Sequence, residues 1–427
     1  MKKYLALILG VLFVLSFAAS AFAIHAEIPS ETQAVVAKGT TQITLGGELR
    51  VRGWYRDNYV GGLPADSSSQ AWYDQRVRLS VDAAVAPGVM GRVLLESGNG
   101  TSDVYTWGNF NAKPTSLSVN EAWLLYSGSG LFGFNSGLKI GHMPLALGQK
   151  EFFDHTKFGD DAVVFFMDPT KQLHIGLLAV KFAEGSKTDN TDDLDGYVGL
   201  AVYKIDDKNT VGVNYTYLNS SDIGFSHQNL GVHADGNIAG VGYKAFGDIQ
   251  FGTIFDGWPA ESEFGGYALG LGLSYKLDPV NIRGSIAYGS GDDDATDSDI
   301  DTFVTYLGND QHYTLIYEYQ VVPAGGYVNA GLSNTTYYNL GLDYSPTKEI
   351  ALSIDGYILR ATEEIFPGAD KDAGWEVDAK MKYAIAKNLT YQIDAGYFSS
   401  GDMYKDALSP VDNEDVTLLR HTITLSF

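Results

Sequence analysis

TQITLGGELRVRGWY, residues 41–55, alternates its side chains with a period of two. Ile43, Leu45, Leu49, Val51 and Tyr55 fall on one face of the extended chain, and Thr44, Glu48, Arg50, Arg52 and Trp54 on the other. One face suits an apolar medium and the other suits water. The pattern returns in YALGLGLSYKL, where Leu269, Leu271, Leu273 and Tyr275 oppose Gly270, Gly272, Ser274 and Lys276. It returns again in WEVDAKMKYAI, where Trp375, Val377, Ala379, Met381 and Tyr383 oppose Glu376, Asp378, Lys380 and Lys382. A soluble β-sandwich alternates in the same way, so alternation alone leaves two architectures open. Aromatic positions separate them: Tyr344, Tyr383, Tyr397 and Phe427 sit near strand ends on the apolar face, where a membrane-interface girdle places them.

The connections point the same way. Short turns are expected at APG 86–88, SGSG 127–130, DDKN 206–209, FGD 246–248, LDP 277–279, SPTKE 345–349 and AKN 386–388. Long polar loops are expected at 56–71, 100–116, 144–161, 184–194, 220–235, 257–264, 290–334, 361–372 and 399–414. Short turns on one rim and long loops on the other describe an all-β, closed antiparallel transmembrane barrel. Parity makes 312–322 part of a long loop and gives 18 strands with both termini periplasmic; the alternative is 16, if AVVFFMD at 162–168 is not a full strand.

The two ends of the chain fit this layout. MKKYLALILGVLFVLSFAASAFA carries Lys2 and Lys3, an apolar run and Ala21-Phe22-Ala23, the signature of a secretory signal peptide cleaved after Ala23. Residues 24–40 then form a periplasmic segment, in which Ser30 and Gln33 of SETQAVVAKG have capping-box spacing for a short helical turn, and 41–427 form the barrel. At the other end RHTITLSF places Leu419, His421, Ile423, Leu425 and Phe427 on one face. A strand that runs to the last residue is expected to pair with the first strand, near Ile43, and to close the sheet.

Removing residues 1–23 takes away two lysines and no acid, so 29 basic residues become 27 against 52 acidic ones, a net charge of −25. Such a balance argues against nucleic acid as a partner. The chain has no cysteine, which excludes disulfides, thiolate metal sites and covalent haem attachment within it. Glycine (49), tyrosine (27) and phenylalanine (21) are spread along the whole length, as a single repetitive β architecture requires.

Several strings in order carry a family likeness: ITLGGELRVRGWY, VNEAWLLY (119–126), LKIGHMPLALGQ (138–149), FGDDAVVF (158–165), YGSGDDDATDSDIDTF (288–303), LGLDYSPTKEIALSIDGY (340–357) and GYFSSGDMY (396–404). In these the chain resembles Gram-negative outer-membrane porins of the alginate-export type found in sulfur- and metal-reducing bacteria. The resemblance implies a monomeric or homotrimeric channel in outer-membrane lipid for small solutes, ions or an acidic polysaccharide. It also implies that the aromatic C-terminal strand ending at Phe427 is the signal read by the barrel assembly machinery.

The candidate pore comes from the residues. The inward face of the first five strands collects Arg50, Arg52, Arg76, Arg78, Arg92 and Lys139, a basic wall that either lines the pore or is paired with Glu48, Asp74, Asp82, Glu96 and Glu121. The segment PLALGQKEFFDHTKFGDDAV is the expected constriction loop, at about 144–161, with Glu151, Asp154, Asp160 and Asp161 set against that wall. A transverse field of this kind filters solutes by charge, with small polar or anionic solutes the first expectation. GDDDATDSDID offers Asp292, Asp294 and Asp297 as a calcium candidate, although its spacing is not that of an EF-hand and a solvated acidic loop explains it equally. No cofactor is otherwise expected, and the scattered His142, His155 and His174 assemble no catalytic constellation, so no enzyme is expected either. Three functions compete: a passive porin, an exporter of an acidic polysaccharide, and a barrel scaffold around a multihaem electron conduit.

Overall fold

The computed structural model describes residues 35–427 apart from 39–40, 60–62, 99–101, 109–115, 131, 189–191, 255–261, 295–296, 309–310, 319–329 and 409–412. The expected signal peptide and the Ser30–Gln33 turn lie outside the described residues. Residues Val35–Lys38 are extended and pair with Thr41–Thr44.

Among the described residues 18 strands close into one antiparallel barrel. In chain order they are β1 (Thr41–Asp57), β2 (Gln70–Ala86), β3 (Val89–Ser97), β4 (Leu117–Gly128), β5 (Asn135–Met143) and β6 (Asp160–Asp168). Next come β7 (Leu173–Ala183), β8 (Leu194–Lys204), β9 (Thr210–Ser220), β10 (Phe225–Ile238), β11 (Val241–Ile254) and β12 (Tyr267–Leu277). The last are β13 (Val280–Gly289), β14 (Thr335–Tyr344), β15 (Ile350–Ala361), β16 (Asp372–Ala386), β17 (Leu389–Ser400) and β18 (Val416–Ser426). Each pairs with its neighbours in sequence, and β18 returns to β1. No strand edge is then left with unpaired backbone groups in hydrocarbon, where each would cost several kcal/mol. The alternation survives in three dimensions: Leu269, Leu271, Leu273 and Tyr275 are all exposed on the outer surface, while the opposite faces of the strands turn to the lumen.

Two expectations about connections need correction. FGD 246–248 is not a turn but the middle of β11, where Asp248 points inward and accepts a hydrogen bond from Asn229 Nδ2 at 2.8 Å. The turn lies instead at Ala239-Gly240, both at positive φ (53° and 91°), which closes a two-residue hairpin. Consequently 220–235 is not a long outer loop: β9 and β10 are joined by residues 221–224 alone. The segment AVVFFMD is a full strand, and 311–318 contains none.

The seam is also shifted from Ile43. Glu48 pairs with Ser426, and Gly47 and Phe427 exchange N–H···O bonds of 2.7 and 3.0 Å. The Phe427 ring lies over Gly47, where a Cβ would sit 2.6 Å from its Cζ, so only glycine accommodates it. Deleting Phe427 removes both bonds and the ring. The yield of heat-modifiable, membrane-assembled barrel is expected to drop severalfold, read on unheated gels of outer-membrane fractions; an unchanged yield would contradict a role for this residue in closure.

The lumen is not an open tube. Two outer-rim loops fold into it, residues 144–159 and the described stretches 302–308, 311–318 and 330–334 of the connection between β13 and β14. Their Leu147, Phe152, Phe153, Phe303, Leu315, Ile316, Tyr317 and Leu332 form one buried apolar cluster. Leu178 and Phe182 of β7 and Val198 and Leu200 of β8 turn an apolar inner wall toward this cluster. Residues Phe153–Asp154 and Tyr306–Leu307 pair as a short parallel ladder, which joins the two loops into one body.

Candidate functional site

The basic wall is assembled on β1 to β5, and carboxylates occupy most of it. Arg50 Nη2 donates to Asp103 Oδ2 at 3.1 Å, and Arg76 donates to the same oxygen at 2.8 Å and to Glu48 at 2.7 Å. Arg52 bonds Asp74 at 2.8 Å, Arg78 bonds Glu96, and Arg92 reaches Asp82 at 3.2 Å and Glu121 at 3.3 Å. Lys139 lies over the Trp123 ring, 4.1 Å from its centroid. The pairing follows from register: Arg78 is opposite Glu48 and Glu96, and Arg52 is opposite Asp74, so neighbouring strands bring opposite charges side by side.

Asp103, from the loop between β3 and β4, was not among the expected partners, yet it holds two arginines. Burial pushes its carboxyl up, but Arg50, Lys157 and Arg76 outweigh that and bring it down to about 2, so it stays ionised at any working pH. Asp103→Asn should therefore free Arg50, while Arg76 stays on Glu48, and shift the reversal potential in a salt gradient toward anion preference. Arg76→Gln, which frees Glu48 and leaves Asp103 to Arg50 alone, should shift it the opposite way. Identical potentials for both variants and the parent would place this wall outside the ion path.

The carboxylates of the loop 144–159 do not face the arginine wall; they find partners nearer at hand. Asp154 accepts from Lys150 Nζ (3.1 Å) and Thr156 Oγ1 (2.6 Å) and lies 3.3 Å from His312 Nε2. Asp160 bonds His155 at 2.8 Å, and Asp161, at the start of β6, bonds His142 on the outer surface at 2.9 Å. Because Thr156 turns to Asp154 and His155 to Asp160, the tripeptide Asp154-His155-Thr156 forms no relay. Glu151 alone makes neither a hydrogen bond nor an ion pair among the described residues.

His312 joins the two inner loops electrostatically. Its Nδ1 lies 2.9 Å from Glu318 Oε1, and its Nε2 faces Asp154. Burial alone would lower its pKa, but these two carboxylates raise it to about 10. The imidazolium contact is therefore fully present below the ordinary histidine range and is lost only as pH rises through about 10. Burial also works against Asp154, yet hydrogen bonds from His312, Thr156 and Lys150 hold its carboxyl well below the usual range.

Both loops are also bonded to the wall. Gln149 Nε2 donates to the carbonyls of Ala234 (3.1 Å) and Ala245 (3.2 Å). Gln250 exchanges bonds with Val304 N–H (2.8 Å) and C=O (2.7 Å). Glu376, fully buried on β16, accepts the N–H groups of Ile316 at 2.6 Å and Tyr317 at 2.8 Å, and Asp378 accepts that of Leu315 at 2.9 Å.

Among the described residues, cavities remain open beside the inner loops, and two of them meet at a shared neck. The larger, about 610 Å³, occupies the periplasmic half of the lumen between the loops and β11 to β17; the smaller, about 340 Å³, lies between the loops themselves. Gln149, Glu151, Gln311 and His312 line both and form the neck between them. In the larger cavity Arg283 is bound to Asp343 (2.8 Å) and Asp355 (2.9 Å), whereas Lys244 and Lys380 carry no ion pair among the described residues. Tyr337 and Tyr357 add aromatic rings packed edge to face, with centroids 6.0 Å apart. Lys244 escaped sequence analysis because β11 was broken at a false turn. Lys380 was legible on the polar face of its strand, but nothing in the sequence showed that the arginines were paired and this lysine was not.

The acidic outer segment does not gather the expected trio. Asp292, Asp293 and Asp301 bring oxygens within 4.8 Å of one another, while Asp292 Oδ1 caps the N–H of Asp294 (3.1 Å) and Asp297 Oδ1 that of Asp299 (3.0 Å).

A closed 18-stranded antiparallel barrel with its lumen narrowed by inward loops is an outer-membrane porin, and the bacterial outer membrane is where it resides. The chain belongs to the alginate export family, whose profile matches residues 42–416. Solved structures share the fold at low identity. Pseudomonas aeruginosa OpdL is 13% identical with a TM-score of 0.60, covering 90% of this chain and 98% of its own. OccK10 (OpdN) of the same organism is 11% identical with a TM-score of 0.59, covering 93% and 99%. OpdK of that organism, crystallised with vanillate, is 11% identical with a TM-score of 0.55, covering 90% and 98%. A search of curated proteins finds no match.

Proposed function

We propose that the chain is a passive, water-filled channel for small anionic organic solutes, which pass the neck at Gln149, Glu151, Gln311 and His312 and then meet Lys244 and Lys380. The observation that carries this is the distribution of unpaired charge. The arginines of the wall are neutralised by carboxylates, and Arg283 is doubly paired, so the cationic field available to a solute in the larger cavity comes from the two lysines. Tyr357, set edge to face against Tyr337, would offer an aromatic contact to a planar solute, in keeping with the vanillate in the OpdK crystal. On this reading the chain conducts solutes and is not an enzyme, in keeping with a family of export channels.

The family name keeps export of an acidic polysaccharide as the second candidate, and the same lysines would serve it. Loss of an extracellular anionic polymer in a deletion strain would favour it, and normal secretion would count against it. A scaffold around a threaded haem protein is disfavoured, since the chain's own loops narrow the lumen. Recognition of Phe427 by the assembly machinery, and assembly into a homotrimer, belong to the same proposal.

Purified protein in planar bilayers under a potassium chloride gradient tests the main proposal. Stepwise conductance with a reversal potential on the anion side is expected; a bilayer that stays non-conducting in every condition would refute the channel.

A further inference from the structure

The neck contains one carboxylate that nothing neutralises. Glu151 lines both cavities, so any solute moving between them passes its side chain, yet it makes no ion pair or hydrogen bond among the described residues. Every other acid that the two inner loops bring to the neck is held: Asp154 by Lys150 and Thr156, and Glu318 by the His312 ring at 2.9 Å and the His312 N–H at 3.0 Å. Resting on the channel proposed above, we propose that Glu151 is the specificity-determining residue of the neck, admitting anions when it holds a proton and repelling them when it releases it.

The surroundings favour such a role. Burial pushes the Glu151 carboxyl up to about 7; His312 and Lys244 oppose the shift, and Glu318 and Asp248 add to it. The charged and titratable groups facing it are Lys150 and Asp154 of its own loop, His312, Tyr313 and Glu318 of the second loop, Lys244 and Asp248 of β11, His233 of β10, and Tyr337 of β14. His312 keeps its charge through neutral pH, Lys150 is paired with Asp154, and burial holds the Tyr313 phenol protonated. Asp248 and His233 are therefore the neighbours to control for.

The sign follows directly. A carboxyl raised to about 7 is neutral at about pH 6 and ionised at about pH 8, so the obstacle to anions grows as pH rises. Beside a solute in a narrow aqueous neck one charge alters permeability by a few fold, so the anion-to-cation permeability ratio should rise roughly threefold from about pH 8 to about pH 6. Glu151→Gln keeps the shape of the side chain without the charge. It should show the high ratio at both pH values, while Asp248→Asn and His233→Gln should keep the parent's pH response.

The measurement is the reversal potential of single channels in potassium chloride gradients at the two pH values, for the parent and the three variants. A parent that conducts with a pH-independent ratio would overturn the assignment, as would a Glu151→Gln channel that retains the response. Abolition of the response by Asp248→Asn or His233→Gln, with Glu151→Gln still responsive, would overturn it and move the role to that residue. Absence of current from every protein at both pH values would overturn the channel itself, and this assignment with it.

Discussion

Glu376→Ala barrels should carry at least about twice the single-channel current of the parent. In the parent this carboxylate accepts the backbone N–H groups of Ile316 and Tyr317, and no water reaches it. Truncation leaves two buried donors without acceptors, at about 1–3 kcal/mol each. That penalty is comparable to what a short inserted loop gains from its apolar contacts, so the segment 311–318 should leave the wall and widen the larger cavity, which it lines through His312, Tyr313 and Leu315. Glu376→Gln retains one carbonyl acceptor and should fall between the two. Single-channel recording measures this, and heat-modifiable migration on gels shows whether each variant still forms a barrel. Parental conductance from a correctly assembled Glu376→Ala barrel would mean that the latch does not hold the loop.

The second large effect is expected at the free lysines. Lys244 and Lys380 lie on β11 and β16, across the same cavity, without ion-pair partners among the described residues. Replacing both with glutamine removes the unpaired positive charge and leaves Glu151, Asp378 and the paired carboxylates. The anion-to-cation permeability ratio should then fall by roughly fivefold, and more steeply at low ionic strength because salt screens the field. The single variants should fall short of the double one, since both charges act on one volume. An unchanged ratio in the double variant would place the anion path elsewhere.

The fold was legible wherever alternation was clean. Residues 41–55, 267–277 and 375–383 declare their two faces, and the turns at 278–279 and 345–349 announce themselves by proline. The reading failed at β11 because Gly247-Asp248 has the composition of a turn. The Asp248 carboxylate is satisfied by Asn229 of the neighbouring strand, a partner 19 positions away that no local pattern reveals. Pairing of the arginine wall was invisible for a related reason. Glu48, Asp74 and Glu96 alternate with the arginines along each strand, but whether they meet them depends on register, which is settled only when the sheet closes. The second inner loop was the larger omission. Its opening run of aspartates reads as solvated, and the apolar stretches Phe303–Leu307 and Leu315–Tyr317 that bury it stand out only against an inner wall already known to be partly apolar.

The ladder between Phe153–Asp154 and Tyr306–Leu307 joins positions about 150 residues apart and lies wholly inside the closed cylinder. Neither loop can complete it until strands β6 to β13, which separate them, have taken their places in the wall. The narrow passage is therefore completed only once that stretch of wall exists. The width of the channel is thus a property of the assembled wall and not of either loop's local sequence.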